Sequence, residues 1–177
     1  AGLLALTLRN MGLNARSWMG WQIPILTDDA HGRARIEDVP GEVLGAAMDK
    51  GEIAVVPGFQ GVSRSGRITT LGRGGSDTSA VAVAAALDCP CDIYTDVDGV
   101  YTTDPRIESR ARRLEKISYE EMLEMASHGA NVLQTRSVEL AMARRVPLRV
   151  LSSFIEPDEN GVLPAKSGTL ICDEEEI

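Results

Sequence analysis

The densest chemistry in the sequence is Thr70-Leu71-Gly72-Arg73-Gly74-Gly75-Ser76-Asp77-Thr78. Its glycines let the backbone approach a ligand closely, and Ser76 is placed to cap the helix that follows. A helix N-terminus offers unpaired N–H groups and a partial positive charge, a setting for a carboxylate or a phosphate. Arg73 adds a guanidinium able to hold a carboxylate through two parallel hydrogen bonds. Asp77 does not suit a purely anionic guest unless it steers a metal ion or a lysine. The plain alternative is a flexible turn ahead of a well-capped helix, and only the embedded Arg73 and Asp77 weigh against it.

A second stretch runs Tyr94-Thr95-Asp96-Val97-Asp98-Gly99-Val100-Tyr101-Thr102-Thr103-Asp104-Pro105-Arg106. Thr95 and Asp96 can meet a ribose or a base edge, Tyr101 can lie against a base, and Arg106 can reach phosphates. Asp96-x-Asp98-Gly99 is not a calcium loop, because the position that should hold a glutamate is Ile107. The alternative is a long connection whose Asp side chains brace its turns. With His31 and His128 the only histidines, no metal constellation is expected.

Both stretches need elements to carry them. Leu4, Leu8 and Met11 share one face of an opening helix. Asn14 to Trp18 reads as a strand, Pro40 to Lys50 as a helix closed by Gly51, and Ile53 to Val56 as a buried parallel strand. Ser63 to Leu71 reads as a hairpin, and Ser76 to Leu87 as a helix apolar almost all round and so buried on several sides. Asp92 to Thr95 is the next strand. Ser118-Tyr119-Glu120-Glu121 is a capping box that opens a helix through about Ser127. Asn131 to Arg145 forms another helix, and Leu148 to Leu151 and Gly168 to Ile171 form the last strands. Strands alternating with helices predict an α/β fold, a three-layer α/β/α sandwich around a mainly parallel sheet. In such sheets ligands sit beyond the carboxyl ends of strands, which is where the Thr95 stretch begins.

The 177 residues, 44% hydrophobic and 25% charged, suffice for a folded core and exclude a disordered chain. No apolar stretch approaches the roughly 20 residues of a membrane span. A net charge of −8 argues against nucleic-acid binding. Cys89, Cys91 and Cys172 form no disulfide framework, so a reducing, cytoplasmic setting is expected. Arg110, Arg112, Arg113 and Lys116 are a basic cluster diluted by neighbouring acids and read as a solvated face. Trp18 and Trp21 are expected to anchor the core or an interface.

Pro57-Gly58-Phe59-Gln60-Gly61, the Gly72-to-Asp77 loop and the Thr95-to-Arg106 stretch, in this order and spacing, resemble the aspartokinase branch of the amino-acid kinase family. Gln22-Ile23 with Asp28, and Leu148-Arg149-Val150-Leu151-Ser152-Ser153-Phe154, match as well, so the resemblance covers essentially the whole chain. It implies phosphoryl transfer from ATP, with Mg²⁺ carried by the nucleotide, to the side-chain carboxylate of L-aspartate. The product would be 4-phospho-L-aspartate, on the way to lysine, threonine and methionine. The resemblance places aspartate on Phe59, Arg73 and Ser76, gives Asp77 and Arg73 catalytic roles, and places the nucleotide on Thr95, Asp96, Tyr101, Arg106 and Asn131. It also implies a homo-oligomer. A carboxylate nucleophile is already ionised at neutral pH, so catalysis needs alignment and charge neutralisation rather than a general base.

Against that pattern, the family's phosphate loop and its substrate-binding glutamate are expected before Ala1, and Asn131 stands where the family usually has lysine. Residues 1–172 are therefore expected to be the C-terminal part of a catalytic domain incomplete at its N-terminus. Residues 173–177 are expected to be an acidic tail or the start of a linker to regulatory domains, and the chain alone is expected to lack turnover. Two other functions compete. One keeps the fold but phosphorylates glutamate, acetylglutamate or a nucleoside monophosphate. The other is a non-catalytic or regulatory chain that retains the fold.

Overall fold

The apolar runs become ten strands and five α-helices in a computed structural model that describes residues 1–129, 132–164 and 166–177. The chain divides into two units, 1–88 and 89–177.

The first unit contains α1 (Gly2–Asn10), β1 (Ala15–Ser17), β2 (Leu26–Thr27), β3 (Ile36–Asp38), α2 (Glu42–Met48), β4 (Ile53–Val55), β5 (Gln60–Ser63), β6 (Ile68–Thr70) and α3 (Gly75–Ala86). β1 and β4 pair in parallel, Ala15 opposite Ile53. A second sheet has the order β3-β2-β5-β6, with β2 and β5 parallel and the outer pairings antiparallel. Ile23, Ile25 and Leu44 form a fully buried cluster against which Trp18, Ile36, Val39, Val83 and Leu87 pack. Removing side chains of this size from water stabilises a fold by roughly 1.5–3 kcal/mol each, so the loop before β2 is a core element.

The second unit contains β7 (Cys91–Thr95), β8 (Lys116–Ser118), α4 (Tyr119–Ser127), α5 (Thr135–Arg144), β9 (Leu148–Ser152) and β10 (Thr169–Cys172). Its sheet has the order β7-β9-β10-β8. β7 runs parallel to β9, with Thr95 opposite Ser152, and β10 runs antiparallel to β9 but parallel to β8. The α4 capping box is complete: the Ser118 hydroxyl accepts from the Glu121 amide at 3.2 Å, and the Glu121 carboxylate accepts from the Ser118 amide at 3.1 Å. Tyr119 is buried and its hydroxyl donates to the Val146 carbonyl at 2.7 Å; loss of water around the ring pushes the phenol up to about 12.

The α/β class holds, and the Ser63-to-Leu71 hairpin forms as β5 and β6. The sheets are mixed as well as parallel, because hairpin partners flank the parallel pairs. Several local expectations change. Ser76 does not cap α3: Gly74, in the left-handed conformation, is the N-cap, no side chain caps the helix, and Ser76 lies inside its first turn. Leu4 and Met11 are exposed and α1 buries only Ala5. Ile53, expected inside, is 41% exposed because β4 pairs with β1 alone. The helix expected from Asn131 is α5, which begins at Thr135 after an extended Gln134; Asn131 lies outside the described residues. Trp18, partly buried, packs against the Ile23, Ile25 and Leu44 cluster, whereas Trp21 is 55% exposed. No helix among the described residues is long and apolar enough to cross a membrane.

Candidate functional site

Four of the singled-out residues meet at the N-terminus of α3, in the first unit. The turn Pro57-Gly58-Phe59 enters β5 and lies against that helix end. The Phe59 amide donates to the Ser79 hydroxyl at 3.1 Å, and its carbonyl accepts from the Leu71 amide at 3.0 Å. These bonds hold Phe59 at a positive φ of 72°, with its ring 46% exposed. A Cβ on Gly75 would come within 2.8 Å of the Leu71 Cβ and 3.0 Å of the Phe59 ring, so both crowd that position. That crowding explains a glycine at the first position of a helix, where it would otherwise cost stability.

Around this turn stand Arg73, Ser76 and Asp77. Arg73 and Ser76 are exposed, and Asp77 is half-buried. Arg73 has no ion pair or side-chain hydrogen bond among the described residues. Burial pushes the Asp77 carboxyl above the usual carboxylate range, and a long hydrogen bond from the Ser76 hydroxyl, 3.5 Å, acts weakly against it. The Gly75 amide donates to the Gly72 carbonyl at 3.0 Å, and with no side chain over the helix end the Ser76 and Asp77 N–H groups are available to a guest. The result is an apolar ring, a free guanidinium, a hydroxyl and open amides around one point, a set that fits a small carboxylate.

Sequence reasoning missed Arg33. The loop after β2 is clamped to β6, the Ala34 amide donating to the Thr70 carbonyl at 2.8 Å and the Thr70 amide to the His31 carbonyl at 3.0 Å. This brings Arg33 alongside Gly72, where a Cβ would lie 3.3 Å from its own. The proximity is tertiary, and no local pattern signals it.

Four further predicted residues line a cleft of about 910 Å³ in the second unit, formed beyond the carboxyl ends of β7 and β9; the fifth, Asn131, lies outside the described residues. Thr95, Asp96, Tyr101 and Arg106 all contribute to it, together with Met125 and His128 of the α4 end, and Ser152. The Thr95 hydroxyl donates to the Asp96 carboxylate at 3.2 Å. The Tyr101 hydroxyl donates to both Asp98 carboxylate oxygens, at 3.0 and 3.1 Å. Arg106 grips Asp104 with two parallel bonds, Nε to Oδ1 at 3.1 Å and Nη2 to Oδ2 at 2.8 Å, which holds the Asp104 carboxyl below its ordinary range. The Arg106 side chain is 88% exposed against 32% for Asp104, and ion pairs open to water are weak, so a phosphate can take the place of Asp104. Met125, His128 and Ser152 escaped the sequence reading because they reach the cleft from elements distant in the chain. The His128 ring Nδ1 sits 2.8 Å from the Glu124 carbonyl.

The expected solvated basic face holds for Arg110, whose side chain is 88% exposed and pairs with Glu108 at 3.1 Å. It does not hold for Arg113, whose side chain is only 30% exposed.

A model of the amino acid kinase family matches residues 2–152. The aspartate kinase of Pseudomonas putida is 55% identical over 175 residues, 98% of this chain and 40% of that protein. Aspartokinase 2 of Bacillus subtilis is 52% identical over 173 residues, 97% of this chain and 40% of that protein. The crystal structure of E. coli aspartokinase III in complex with aspartate and ADP superposes with a TM-score of 0.82 at 36% identity, covering 97% of this chain and 37% of that one. The chain thus spans about 40% of the length of the curated relatives it matches.

Proposed function

Since the chain belongs to the amino-acid kinase family, we propose that it is the C-terminal part of an aspartate kinase catalytic domain, transferring a phosphoryl group from ATP to the side-chain carboxylate of L-aspartate. The observation that carries the substrate is the open end of α3. There Arg73, free of any ion pair among the described residues, stands with Phe59 and Ser76 around uncapped helix amides. A bidentate guanidinium and a helix end are both complementary to a carboxylate. Asp77 organises the reacting groups from the first turn of the helix.

The nucleotide occupies the cleft beyond β7 and β9. Thr95 and Asp96 address the ribose, Tyr101 the base or ribose, and Arg106, released from Asp104, the phosphates. Mg²⁺ enters on the nucleotide; Asp96, whose carboxylate accepts one bond from Thr95, is an oxygen ligand of the kind that ion takes. Asn131 belongs to the same reading as a neutral hydrogen-bonding residue. The chemistry needs no general base, because the nucleophile is a carboxylate. The work of these side chains is to align it with the γ-phosphate and neutralise charge. The reading extends to a cytoplasmic homo-oligomer supplying an acyl phosphate to amino-acid biosynthesis, with residues 173–177 leading out of the domain.

Hydroxylamine trapping of acyl phosphate tests this directly in the protein carrying this chain. ATP-dependent hydroxamate with L-aspartate, and at least tenfold less with L-glutamate, is expected. Equal or greater product with glutamate or acetylglutamate would assign a different acidic substrate.

A further inference from the structure

Arg113 lines neither the cleft nor the solvent face expected for its basic cluster. It belongs to the segment that turns back along the cleft loop. Tyr101 and Arg113 form an antiparallel bridge, flanked by bonds from the Thr102 amide to the Arg112 carbonyl at 3.0 Å and from the Leu114 amide to the Val100 carbonyl at 2.8 Å. From there the guanidinium reaches three acceptors. Nη1 donates to the Asp98 carbonyl at 3.3 Å and stands 3.5 Å from the Asp98 carboxylate, and Nη2 donates to the Lys166 carbonyl at 2.8 Å. Its stem lies on Gly99, where a Cβ would come within 2.8 Å of Arg113 Cδ and 2.6 Å of the Thr169 hydroxyl. The φ of 148° and this contact restrict the position to glycine.

Asp98 therefore works in two directions. One side faces Arg113, and the carboxylate oxygens accept the Tyr101 hydroxyl. Thr169, fully buried, fixes the next residue by accepting from the Val100 amide at 2.9 Å while its hydroxyl meets the Leu114 carbonyl at 2.6 Å. The Tyr101 ring is thus held by a chain of polar contacts anchored outside the cleft.

We propose that Arg113 is a positioning residue of the nucleotide cleft, holding Asp98 so that Asp98 holds the Tyr101 ring where a nucleoside meets it. The proposal rests on the nucleotide reading of that cleft. A partly buried guanidinium with three acceptors is better suited to this than an exposed lysine, because its fork is rigid and its bonds are charge-assisted. Groups that act through one shared partner are energetically coupled.

The test is a double-mutant cycle read by calorimetric titration with ADP. Arg113→Gln and Tyr101→Phe are each expected to weaken ADP about five- to tenfold, and the double variant no more than about twofold beyond the weaker-binding single variant. Arg113→Lys, which keeps the charge, is expected to recover part of the loss. Additive losses in the double variant, or a lowered thermal midpoint with unchanged ADP affinity, would overturn the positioning role. Arg106→Ala separates the two readings. Loss of ADP affinity in Arg106→Ala with none in Arg113→Gln overturns the positioning role and leaves the nucleotide cleft standing. No loss in either overturns both. Where Arg113→Gln fails to fold, Asp98→Asn and Arg113→Lys complete the same cycle.

Discussion

Arg73 stands without a carboxylate partner among the described residues, whereas Arg16, Arg64, Arg106, Arg110, Arg113 and Arg149 each face one. An unpaired guanidinium beside an open helix end is poised for a carboxylate it does not yet hold. Arg73→Ala is expected to raise KM for aspartate about ten- to a hundredfold while leaving KM for ATP within about twofold, since a charge-assisted hydrogen bond contributes about 1.5–3 kcal/mol. Steady-state kinetics in both substrates decides it, and a raised KM for ATP with an unchanged one for aspartate would reverse the assignment. At this scale residue types were legible in the sequence and partners were not. Arg73, Asp77 and Arg106 stand out by type and neighbours. The Asp104 grip on Arg106, the place of Ser76 inside the helix rather than before it, and the approach of Arg33 all depend on backbone conformation. Gly74 takes the left-handed cap, and no propensity distinguishes that from a serine cap two residues later.

Elements were legible where their signals are local. The α4 start could be placed to the residue because a capping box is written in four consecutive positions, and both of its bonds form. Ser118→Ala removes the hydroxyl that accepts from the Glu121 amide, leaves the bond from the Ser118 amide to the Glu121 carboxylate, and is expected to lower stability by about 1 kcal/mol without changing KM for either substrate. Chemical denaturation together with kinetics checks this; an unchanged midpoint would show that Glu121 and water cap the helix without the hydroxyl. The misses follow the same logic. β2 and β3 have two and three residues, too short for a period-two pattern to register. The face of α1 was readable from spacing, but spacing says which residues align and not whether anything covers them; Leu4 and Met11 are exposed. Ile53 shows the same gap, since an apolar run reports a strand but not its place in the sheet.

The chain divides into two units, and the proposed function gives each a different ligand. The first presents the Phe59 ring, the Arg73 guanidinium without an ion pair among the described residues, and a helix end, suited to a small carboxylate. The second presents a cleft of about 910 Å³ at strand ends, large enough for a nucleotide. Order and spacing along the sequence pointed to both, because each site is built mainly from one continuous stretch. The walls added from afar, His128 and Ser152 among them, became visible only in the fold. Hydrogen exchange with each ligand added separately distinguishes two separate sites from one shared one. L-aspartate is expected to slow exchange of the Phe59 amide and of amides 72–78 while leaving 95–106 unchanged, and ADP is expected to slow exchange across 95–106 and leave the α3 end as it was. Protection of 95–106 by aspartate, or of 72–78 by ADP alone, would overturn the assignment of the two ligands to two units.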